Sequence, residues 1–349
     1  MISQKIDEKS IRKAKTLLDS ASKVTVVCHM SPDGDAVGSS LAAMRVLGAI
    51  GKDVHAVVPD AFLENLKALP GAKELVDASK YSEFAESLLT DTDLILCLDF
   101  NDASREGRLK DVLESSKAPK ILVDHHLNPT LNADVVISHP EMSSTCYLLF
   151  RFFCRLELFN FIDRQAAECI LAGMMTDTGN FSYSCDDPEL YIVEAELMRK
   201  GIDKARLYRL LFNTYSENCL RLNSYALLEK MEVFTDAHCA LITLSREELN
   251  RFHYTKGDTE GLVNRPLSIP EVEMSVFMRQ ESDCIRVSMR SIGNIPVNQI
   301  SAELFNGGGH LNAAGGEYKG TLDEAAAHLR NNLPDIKKRF MDSKPDNNS

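Results

Sequence analysis

The chain has 349 residues, 44% hydrophobic and 26% charged, a composition typical of globular proteins and unlike that of disordered or fibrous ones. At about 150 residues per domain, this length indicates two globular units. The formal net charge of -12 disfavours a long, sequence-independent nucleic-acid footprint, which needs a broad basic stripe. An anionic substrate must therefore be bound locally, by metal ions or by a small cluster of arginine, histidine and backbone N–H groups.

Membrane insertion and secretion are disfavoured by the apolar pattern. The longest apolar stretch, residues 147–162, is interrupted by charged residues and is shorter than the roughly 18 residues that a bilayer span requires. The N-terminus mixes charges with helix-spaced apolar residues, unlike a secretory signal. The nine cysteines are scattered without a C-x-x-C pair, which is typical of reduced core residues. We therefore expect a cytoplasmic protein without membrane contact.

The first half of the chain alternates strands and helices. After an N-terminal helix, a β-branched run is followed by a loop and then by a helix over residues 37–50. The apolar runs are continuous rather than alternating, which indicates strands buried on both faces. This pattern predicts an α/β domain with a mainly parallel sheet flanked by helices. The predicted strands are residues 24–28, 54–58, 94–100, 121–123 and 135–137.

The second half of the chain has a different pattern of predicted helices and strands. Residues 143–225 have a helical pattern with an interruption at 176–187, and strand patterns return beyond residue 231 around two helical segments. These strands predict a smaller C-terminal α+β domain. The predicted strands are residues 232–234, 240–244, 273–279 and 284–290. The predicted division is a first domain at 1–214, a linker helix at 215–230, a second domain at 231–343 and a disordered tail at 344–349.

Ionisable residues follow directly on the first predicted strand. His29, Asp33 and Asp35 lie in one loop, and Gly34 lets the backbone approach a ligand while both carboxylates face the same site. In open α/β sheets, ligands bind outside the carboxyl ends of the strands. The alternative interpretation is a capping turn, with Asp35 as the N-cap of the next helix.

Three later segments repeat this arrangement. Asp99 ends one apolar strand, Asp124, His125 and His126 end another, and Asp177 ends an apolar helical run. Adjacent side chains on an extended segment point to opposite sides, so the two histidines are expected to perform different tasks. The alternatives are a turn at Asp99, a helix cap at Asp124 with two surface histidines, and a plain helix terminus at Asp177.

Together the four segments offer two imidazoles and four carboxylates as candidate metal ligands. Hard ligands of this mixed kind suit manganese or magnesium, imidazole favours manganese, and the lack of thiolates disfavours structural zinc. Two cations about 3.5 to 4 Å apart would activate a hydroxide and stabilise a phosphoryl oxyanion. The candidate ligands are His29, Asp33, Asp35, Asp99, His125 and Asp177.

The second domain carries a candidate anion-binding motif. A strand ends in Arg290 and Ser291, and a glycine run leaves backbone N–H groups uncovered, with a histidine as a further donor. The alternatives are a flexible turn before a helix and a surface ion pair of the arginine. The candidate substrate-binding residues are Arg290, Ser291, Gly307, Gly308, Gly309 and His310.

In order and character, these segments resemble the motifs of the DHH phosphoesterase superfamily: H-x-x-P-D-G-D-A, an Asp-terminated strand, D-H-H and a later Asp. The sequences VSMRS and NGGGH, followed by AAGG, resemble the DHHA1 substrate-binding domain of the nanoRNase and pAp-phosphatase branch. The resemblance covers about residues 20–340.

The resemblance implies a role for each candidate residue. One metal ion would be held by His29 and Asp33, and the other by Asp35 and His125. Asp99 would bridge the two ions. Asp177 would complete the metal site. His126 would polarise the scissile phosphate or protonate the leaving oxygen. Across a cleft between the domains, the nucleotide would be bound by Arg290, Ser291 and Gly307 to His310.

The implied activity is removal of 5′-mononucleotides from short oligoribonucleotides, including the linear dinucleotide pApA, with removal of the 3′-phosphate of pAp as a further activity. A cyclic di-AMP phosphodiesterase is the main alternative. An inorganic pyrophosphatase fits the second-domain motifs poorly, and a RecJ-type exonuclease would need further nucleic-acid-binding modules. A non-catalytic nucleotide-binding protein would be expected to lack a metal ligand. Substrate preference, cleavage polarity and the metal used in the cell stay open, and a homodimer is compatible with the sequence.

Overall fold

The computed structural model describes residues 5–341, which form two compact units divided between residues 214 and 215. The predicted tail at 344–349 lies outside the described residues. Within the described part of the chain, no helix is long and apolar enough to cross a membrane. All nine cysteines are free thiols, and six of them are buried.

The first unit contains a parallel sheet of six strands in the order β3-β2-β1-β4-β5-β6. The chain runs outward from β1 to β3 and then returns to the other side of β1, so a topological switch point lies between β1 and β4. Ligands of open α/β sheets bind outside the carboxyl ends of the strands at such a point. The strands are β1 (Lys23–Cys28), β2 (Asp53–Val58), β3 (Val76–Asp77), β4 (Leu94–Leu98), β5 (Lys120–Asp124) and β6 (Val135–Ser138).

Helices cover both faces of this sheet and create separate apolar cores. The predicted α/β class and parallel sheet are therefore confirmed. The predicted interruption at 176–187 coincides with the connection between the sixth and seventh helices. The helices are α1 (Glu8–Ser20), α2 (Gly34–Ala49), α3 (Ser82–Thr90), α4 (Lys110–Ser115), α5 (Thr145–Arg155), α6 (Arg164–Asp177), α7 (Pro188–Met198) and α8 (Lys204–Phe212).

Helices α2 and α6 pack very closely because glycines face the partner helix. A Cβ on Gly38 would lie 2.5 Å from the carbonyl oxygen of Cys169, and one on Gly173 would lie 2.6 Å from Oδ1 of Asp35. Neither contact would tolerate a side chain. This packing brings the first turn of α2, with Asp35, close to the last turn of α6, with Asp177.

The second unit contains a mixed sheet of six strands in the order β11-β12-β10-β9-β8-β7, in which only β8 and β9 are parallel neighbours. The predicted smaller α+β domain is confirmed. The strands are β7 (Met231–Phe234), β8 (Cys239–Leu244), β9 (Met274–Gln280), β10 (Ile285–Ser291), β11 (Gly308–His310) and β12 (Ala313–Tyr318), and the helices are α9 (Glu217–Glu229), α10 (Arg246–Arg251), α11 (Val297–Phe305) and α12 (Leu322–Ile336).

The two faces of the second sheet are covered differently. Helices α11 and α12 pack on one face around Val287, Phe305 and Leu329. On the other face, apolar residues of α9 and α10 pack over β8 and β9, including Leu222 against Phe277. Helix α9, which was predicted as a linker, thus shares a core with this sheet. Over β10, β11 and β12 the same face carries exposed or half-buried residues.

Strands β3, β11 and β12 were not among the predicted strands, and three helices follow residue 231 in the described part of the chain where two were predicted. Residues 308–310, expected as a loop, form the edge strand β11, in which Gly309 pairs with Ala314 of β12. Glycine is depleted in strands because it contributes no side-chain packing, so the local sequence indicates a loop. Pairing with a neighbouring strand overrides this local preference.

Candidate metal centre

All six predicted metal ligands of the first unit lie at the carboxyl edge of the parallel sheet, at and beside its switch point. Three follow directly on strands, and three belong to helix ends that meet there. These residues are His29 after β1, Asp99 after β4, His125 after β5, Asp33 as the N-cap of α2, Asp35 in the first turn of α2, and Asp177 as the last residue of α6. The N-cap of α2 is thus Asp33, and Asp35 is available to the site.

The six side chains form two clusters of three, and a contact between Asp99 and His125 links the two clusters. In the first, Nε2 of His29 lies 3.8 Å from Oδ2 of Asp33 and 3.4 Å from Oδ2 of Asp99. In the second, Nε2 of His125 lies 3.3 Å from Oδ2 of Asp177, with Asp35 in the same group. Oδ1 of Asp99 lies 3.6 Å from Nε2 of His125. Each carboxylate oxygen of Asp99 therefore faces a different cluster.

The backbone fixes the orientation of both imidazoles. Nδ1 of His29 lies 2.8 Å from the carbonyl oxygen of Met30, and Nδ1 of His125 lies 3.1 Å from that of Met142. A carbonyl oxygen only accepts hydrogen bonds, so each Nδ1 donates. Nε2 of each ring is then the nitrogen that faces the carboxylates, as in histidines that ligate metals.

Two of the carboxylates are deeply buried and held by local donors. Asp35 accepts hydrogen bonds from the backbone N–H groups of Thr145 and Cys146, at 2.5 and 2.9 Å. Asp99 accepts one from the hydroxyl of Thr145 at 2.9 Å. Asp99 also has a φ of 66°, in the left-handed region that non-glycine residues rarely occupy. Strained backbone of this kind is characteristic of functional sites.

The electrostatics of the clusters favour a bound cation. Burial, reinforced by the charge of Asp99, raises the pKa of Asp35 to about 7. Burial and the charges of Asp35 and Asp33 raise the pKa of Asp177 well above its ordinary value. Burial opposes protonation of His29, but the hydrogen bond with Asp99 and the charge of Asp33 raise its pKa to about 9. A metal ion at Nε2 would replace that proton and compensate the crowded carboxylates.

The composition of the site fits divalent metal ions. Each cluster combines hard carboxylate oxygens with one imidazole nitrogen, a donor set that suits manganese or magnesium and not a thiolate-bound metal. Asp99 has one carboxylate oxygen near the histidine of each cluster, Oδ2 near His29 and Oδ1 near His125. Individual ligand roles remain predictions.

His126 is held by a residue that sequence reasoning considered only as a helix cap. Nδ1 of His126 lies 2.7 Å from Oδ1 of Asp124, the fully buried last residue of β5. The same nitrogen lies 3.8 Å from Oδ1 of Asp99. Asp124 thus orients the ring beside the two clusters. The sequence signal was a carboxylate two residues before a histidine at the end of a buried strand.

In the second unit, the structure aligns two of the predicted substrate-binding residues. Arg290 pairs with Ala313 of β12, which pairs with His310 of β11, so all three share one face of the sheet. Ser291 points the other way and is largely buried, and its hydroxyl donates to the carbonyl oxygen of Ile295 at 2.7 Å. Ser291 is therefore placed to support this loop from within.

The three glycines of the motif are not equivalent. A Cβ on Gly307 would lie 2.0 Å from the carbonyl oxygen of Gly315, and one on Gly309 would lie 2.4 Å from that of Ala313. A Cβ on Gly308 would meet no atom within 4 Å, and Gly308 is exposed. The fold thus requires glycine at 307 and 309, whereas nothing in the second unit requires it at 308.

Comparison with known proteins agrees with this architecture. The DHH family N-terminal domain matches residues 23–174, and the DHHA1 domain matches residues 240–339. The bifunctional oligoribonuclease and PAP phosphatase NrnA of Thermus thermophilus is 30% identical over 310 residues, covering 86% of this chain and 86% of that protein. The cyclic-di-AMP phosphodiesterase GdpP of Bacillus subtilis is 26% identical, covering 90% of this chain but 48% of that protein.

Among solved structures, an exopolyphosphatase-related protein from Bacteroides fragilis is 45% identical with a TM-score of 0.95, covering 97% of this chain and 99% of that one. The matched ranges contain the candidate metal ligands of the first unit except Asp177, and the glycine motif in the second unit. The chain therefore belongs to the DHH family of phosphoesterases, hydrolases of phosphoric ester bonds, as its motifs predicted.

Proposed function

We propose that this chain is a manganese-dependent phosphoesterase that hydrolyses short oligoribonucleotides and linear dinucleotides such as pApA to mononucleotides, and pAp to AMP. The observation that carries the proposal is the position of Asp99 between two clusters of oxygen and nitrogen ligands. The naming of a relative as an oligoribonuclease and PAP phosphatase supports the choice of substrate.

In this proposal each cluster holds one metal ion, with His29 and Asp33 on one side and the remaining ligands on the other. Asp99 bridges them. Bound ions would supply an activated hydroxide and stabilise the charge that develops on the phosphoryl oxygens. The ligands of the second ion are Asp35, His125 and Asp177.

His126 supplies the proton in this scheme. Its Nδ1–H is held by Asp124, so a protonated ring presents Nε2–H for transfer to the leaving oxygen. The ring is then neutral and regains its proton from water. The buried Asp124 carboxylate keeps the ring oriented throughout.

The second unit supplies nucleotide recognition in this proposal. Arg290 and His310 offer charged and polar donors on one face of the sheet, and Gly308 lets a ligand approach the backbone. Ser291 holds the loop after β10. We also propose that the enzyme acts in the cytoplasm, where its free thiols stay reduced.

Cyclic di-AMP is the second candidate substrate, because GdpP aligns with 90% of this chain. A purely nucleotide-binding role is disfavoured, since all six predicted metal ligands are present and meet in two clusters. The name of the Bacteroides relative adds inorganic polyphosphate to the substrates that need testing.

A substrate panel with the purified chain tests the proposal. We expect Mn²⁺-dependent turnover, lost with excess chelator, to favour pApA over pAp, cyclic di-AMP, pyrophosphate, polyphosphate and long RNA. Faster hydrolysis of cyclic di-AMP than of pApA would replace the proposal with the alternative. Preference for long RNA or polyphosphate would overturn it.

A further inference from the structure

The segment between Asp99 and α4 carries an arginine that sequence reasoning did not single out. The backbone N–H of Met30 donates to the carbonyl oxygen of Arg105 at 2.7 Å, and Met30 directly follows His29. Arg105 therefore lies against the loop that carries the first metal cluster.

The same segment is also joined to the loop that follows His126. The side-chain amide of Asn101 donates to the carbonyl oxygen of Leu127 at 2.6 Å, and the N–H of Thr130 donates to the carbonyl oxygen of Asn101 at 2.8 Å. Loops that carry residues of the metal centre thus border this segment on two sides. Arg105 belongs to the rim of the site within the first unit.

Neighbouring residues fix the backbone at this point. The side chain of Glu106 is fully buried, and Gly107, with a φ of 54°, lies against Met30, whose Sδ would be 3.5 Å from a Cβ at that position. A residue flanked by such anchors is positioned before any ligand arrives, which lowers the entropic cost of binding.

The guanidinium of Arg105 stands out by its lack of a partner. Among residues 5–341, the other buried or half-buried arginines form a hydrogen bond or an ion pair with the protein, as Arg151 does with Glu189 and Arg45 with Asp163. The guanidinium of half-buried Arg105 has neither, although the chain carries 51 acidic residues against 39 basic ones. None of its nitrogens is sealed from solvent, so the guanidinium is open to an anion from outside the protein.

The position of Arg105 indicates which anion. No carboxylate of the metal clusters lies within the 4.0 Å ion-pair distance of its guanidinium, so the clusters do not neutralise Arg105, whose backbone contacts the loop that carries His29. A planar guanidinium binds phosphate through paired, charge-assisted hydrogen bonds. Building on the proposed function, we propose that Arg105 binds the non-reacting phosphate of the substrate and thereby selects nucleotides with two phosphates, such as pApA and pAp.

Substrates that differ by a single phosphate test this assignment. Wild type should prefer pApA to ApA, and pAp to 3′-AMP. Arg105→Met should reduce kcat/KM for pApA and pAp by about ten- to a hundredfold, mainly through KM, because a charge-assisted contact is lost. ApA, 3′-AMP and bis(p-nitrophenyl) phosphate should change by less than about threefold, within the scatter of single-site effects.

Arg108→Met is the matched control, since Arg108 is exposed in the same segment and should leave all rates unchanged. Arg105→Lys should recover part of the preference for pApA. An equal loss on ApA and pApA, or an unchanged KM for pApA in Arg105→Met, would overturn the proposal.

A wild-type chain that hydrolyses none of these nucleotides would overturn the proposed function alone. Calorimetry with pAp in the presence of Mn²⁺ then decides the role of Arg105. Weaker binding of pAp, but not of AMP, by Arg105→Met supports the assignment, and equal binding of pAp by both proteins refutes it.

Discussion

The two sheets of this protein present functional groups in different ways. At the carboxyl edge of the first sheet, His29, Asp35 and Asp99 are buried, the first two held by backbone groups and Asp99 by the hydroxyl of Thr145. On the second sheet, Arg290 and His310 lie on a partly open face, and the glycine backbone is accessible. Metal chemistry requires preorganised and desolvated ligands, whereas recognition requires groups that a substrate can reach. Substitutions in the two regions should therefore differ in kind.

The largest expected effect is at Asp99. Asp99→Asn removes a negative charge that faces both clusters. Loss of a residue that only orients a metal ligand lowers activity by roughly 10- to 100-fold, and we expect a larger loss here. Steady-state kinetics with saturating Mn²⁺ would measure this loss. His55→Gln, distant in sequence from every candidate ligand, is the control, and near-normal rates for Asp99→Asn would mean that the bridging assignment is wrong.

Asp124→Asn should have the next largest effect, because an amide is a weaker acceptor than a carboxylate for the Nδ1–H that orients the ring of His126. We expect kcat to fall by about 10- to 100-fold with little change in Mn²⁺ affinity. Glu141→Gln is a matched control, since Glu141 makes a similar contact with His139, at 2.9 Å, outside the metal clusters. Equal effects of the two substitutions would show that Asp124 has no special role in catalysis.

Arg290→Ala should affect nucleotides and generic esters differently. Loss of a charge-assisted contact should raise KM for pApA by about ten- to a hundredfold, while bis(p-nitrophenyl) phosphate and metal binding change little. Arg286→Ala provides the control on the same strand and face, where Arg286 pairs with Glu317 at 2.9 Å. If Arg290→Ala slows both substrates equally, chemistry and recognition are not divided between the two regions.

Glycine-to-alanine substitutions in the edge strand β11 should separate effects on substrate binding from effects on folding. Gly308→Ala meets no protein atom, so thermal unfolding should be unchanged while KM for pApA rises by about tenfold, or about 1.4 kcal/mol. Gly309→Ala should instead lower stability, because its φ of 144° and the close carbonyl of Ala313 exclude a side chain. Unchanged kinetics in a folded Gly308→Ala would place the substrate elsewhere.

The smallest expected effect on catalysis is at Glu248, which stabilises the second unit. Burial opposes its ionisation, but hydrogen bonds from Tyr225 and the backbone of Ser245 lower its pKa to about 2 from an ordinary 4.5. A lowered folded-state pKa contributes stability above pH 4.5 that is lost as pH falls toward 2. Glu248→Gln should cost about 1 to 3 kcal/mol of unfolding free energy at neutral pH and show a flatter acid dependence.

Glu247→Gln, on the exposed side of the same helix, is the control for this measurement. Chemical denaturation at several pH values would reveal the difference. Parallel pH profiles for the wild type and Glu248→Gln would contradict the assigned stabilisation.

The sequence was sufficient to predict which side chains meet at the edge of the first sheet because the relevant signals are local. A continuous apolar strand that ends in an ionisable residue identifies the carboxyl edge of a parallel sheet, where His29, Asp99 and His125 must come together. Asp177 gave the weakest local signal, because it ends a helix rather than a strand and its approach to Asp35 depends on the glycine contacts between α2 and α6.

Other features depend on contacts that a sequence does not display. The pairing of Gly309 with Ala314 overrides the loop preference of the glycine run. Because side chains alternate along a strand, Ser291 is buried although the neighbouring Arg290 lies on the open face. Neither the contact of Asp124 with His126 nor the lack of a partner at Arg105 could be read from residue types. Both require the folded arrangement of side chains.

The most direct test of the central claim is the number of manganese ions bound per chain, measured by calorimetry and electron paramagnetic resonance. The account predicts two ions that are magnetically coupled through the carboxylate of Asp99, with coupling lost in Asp99→Asn and turnover abolished by excess chelator. A single uncoupled ion, or full turnover of pApA in chelator, would contradict a shared two-metal centre.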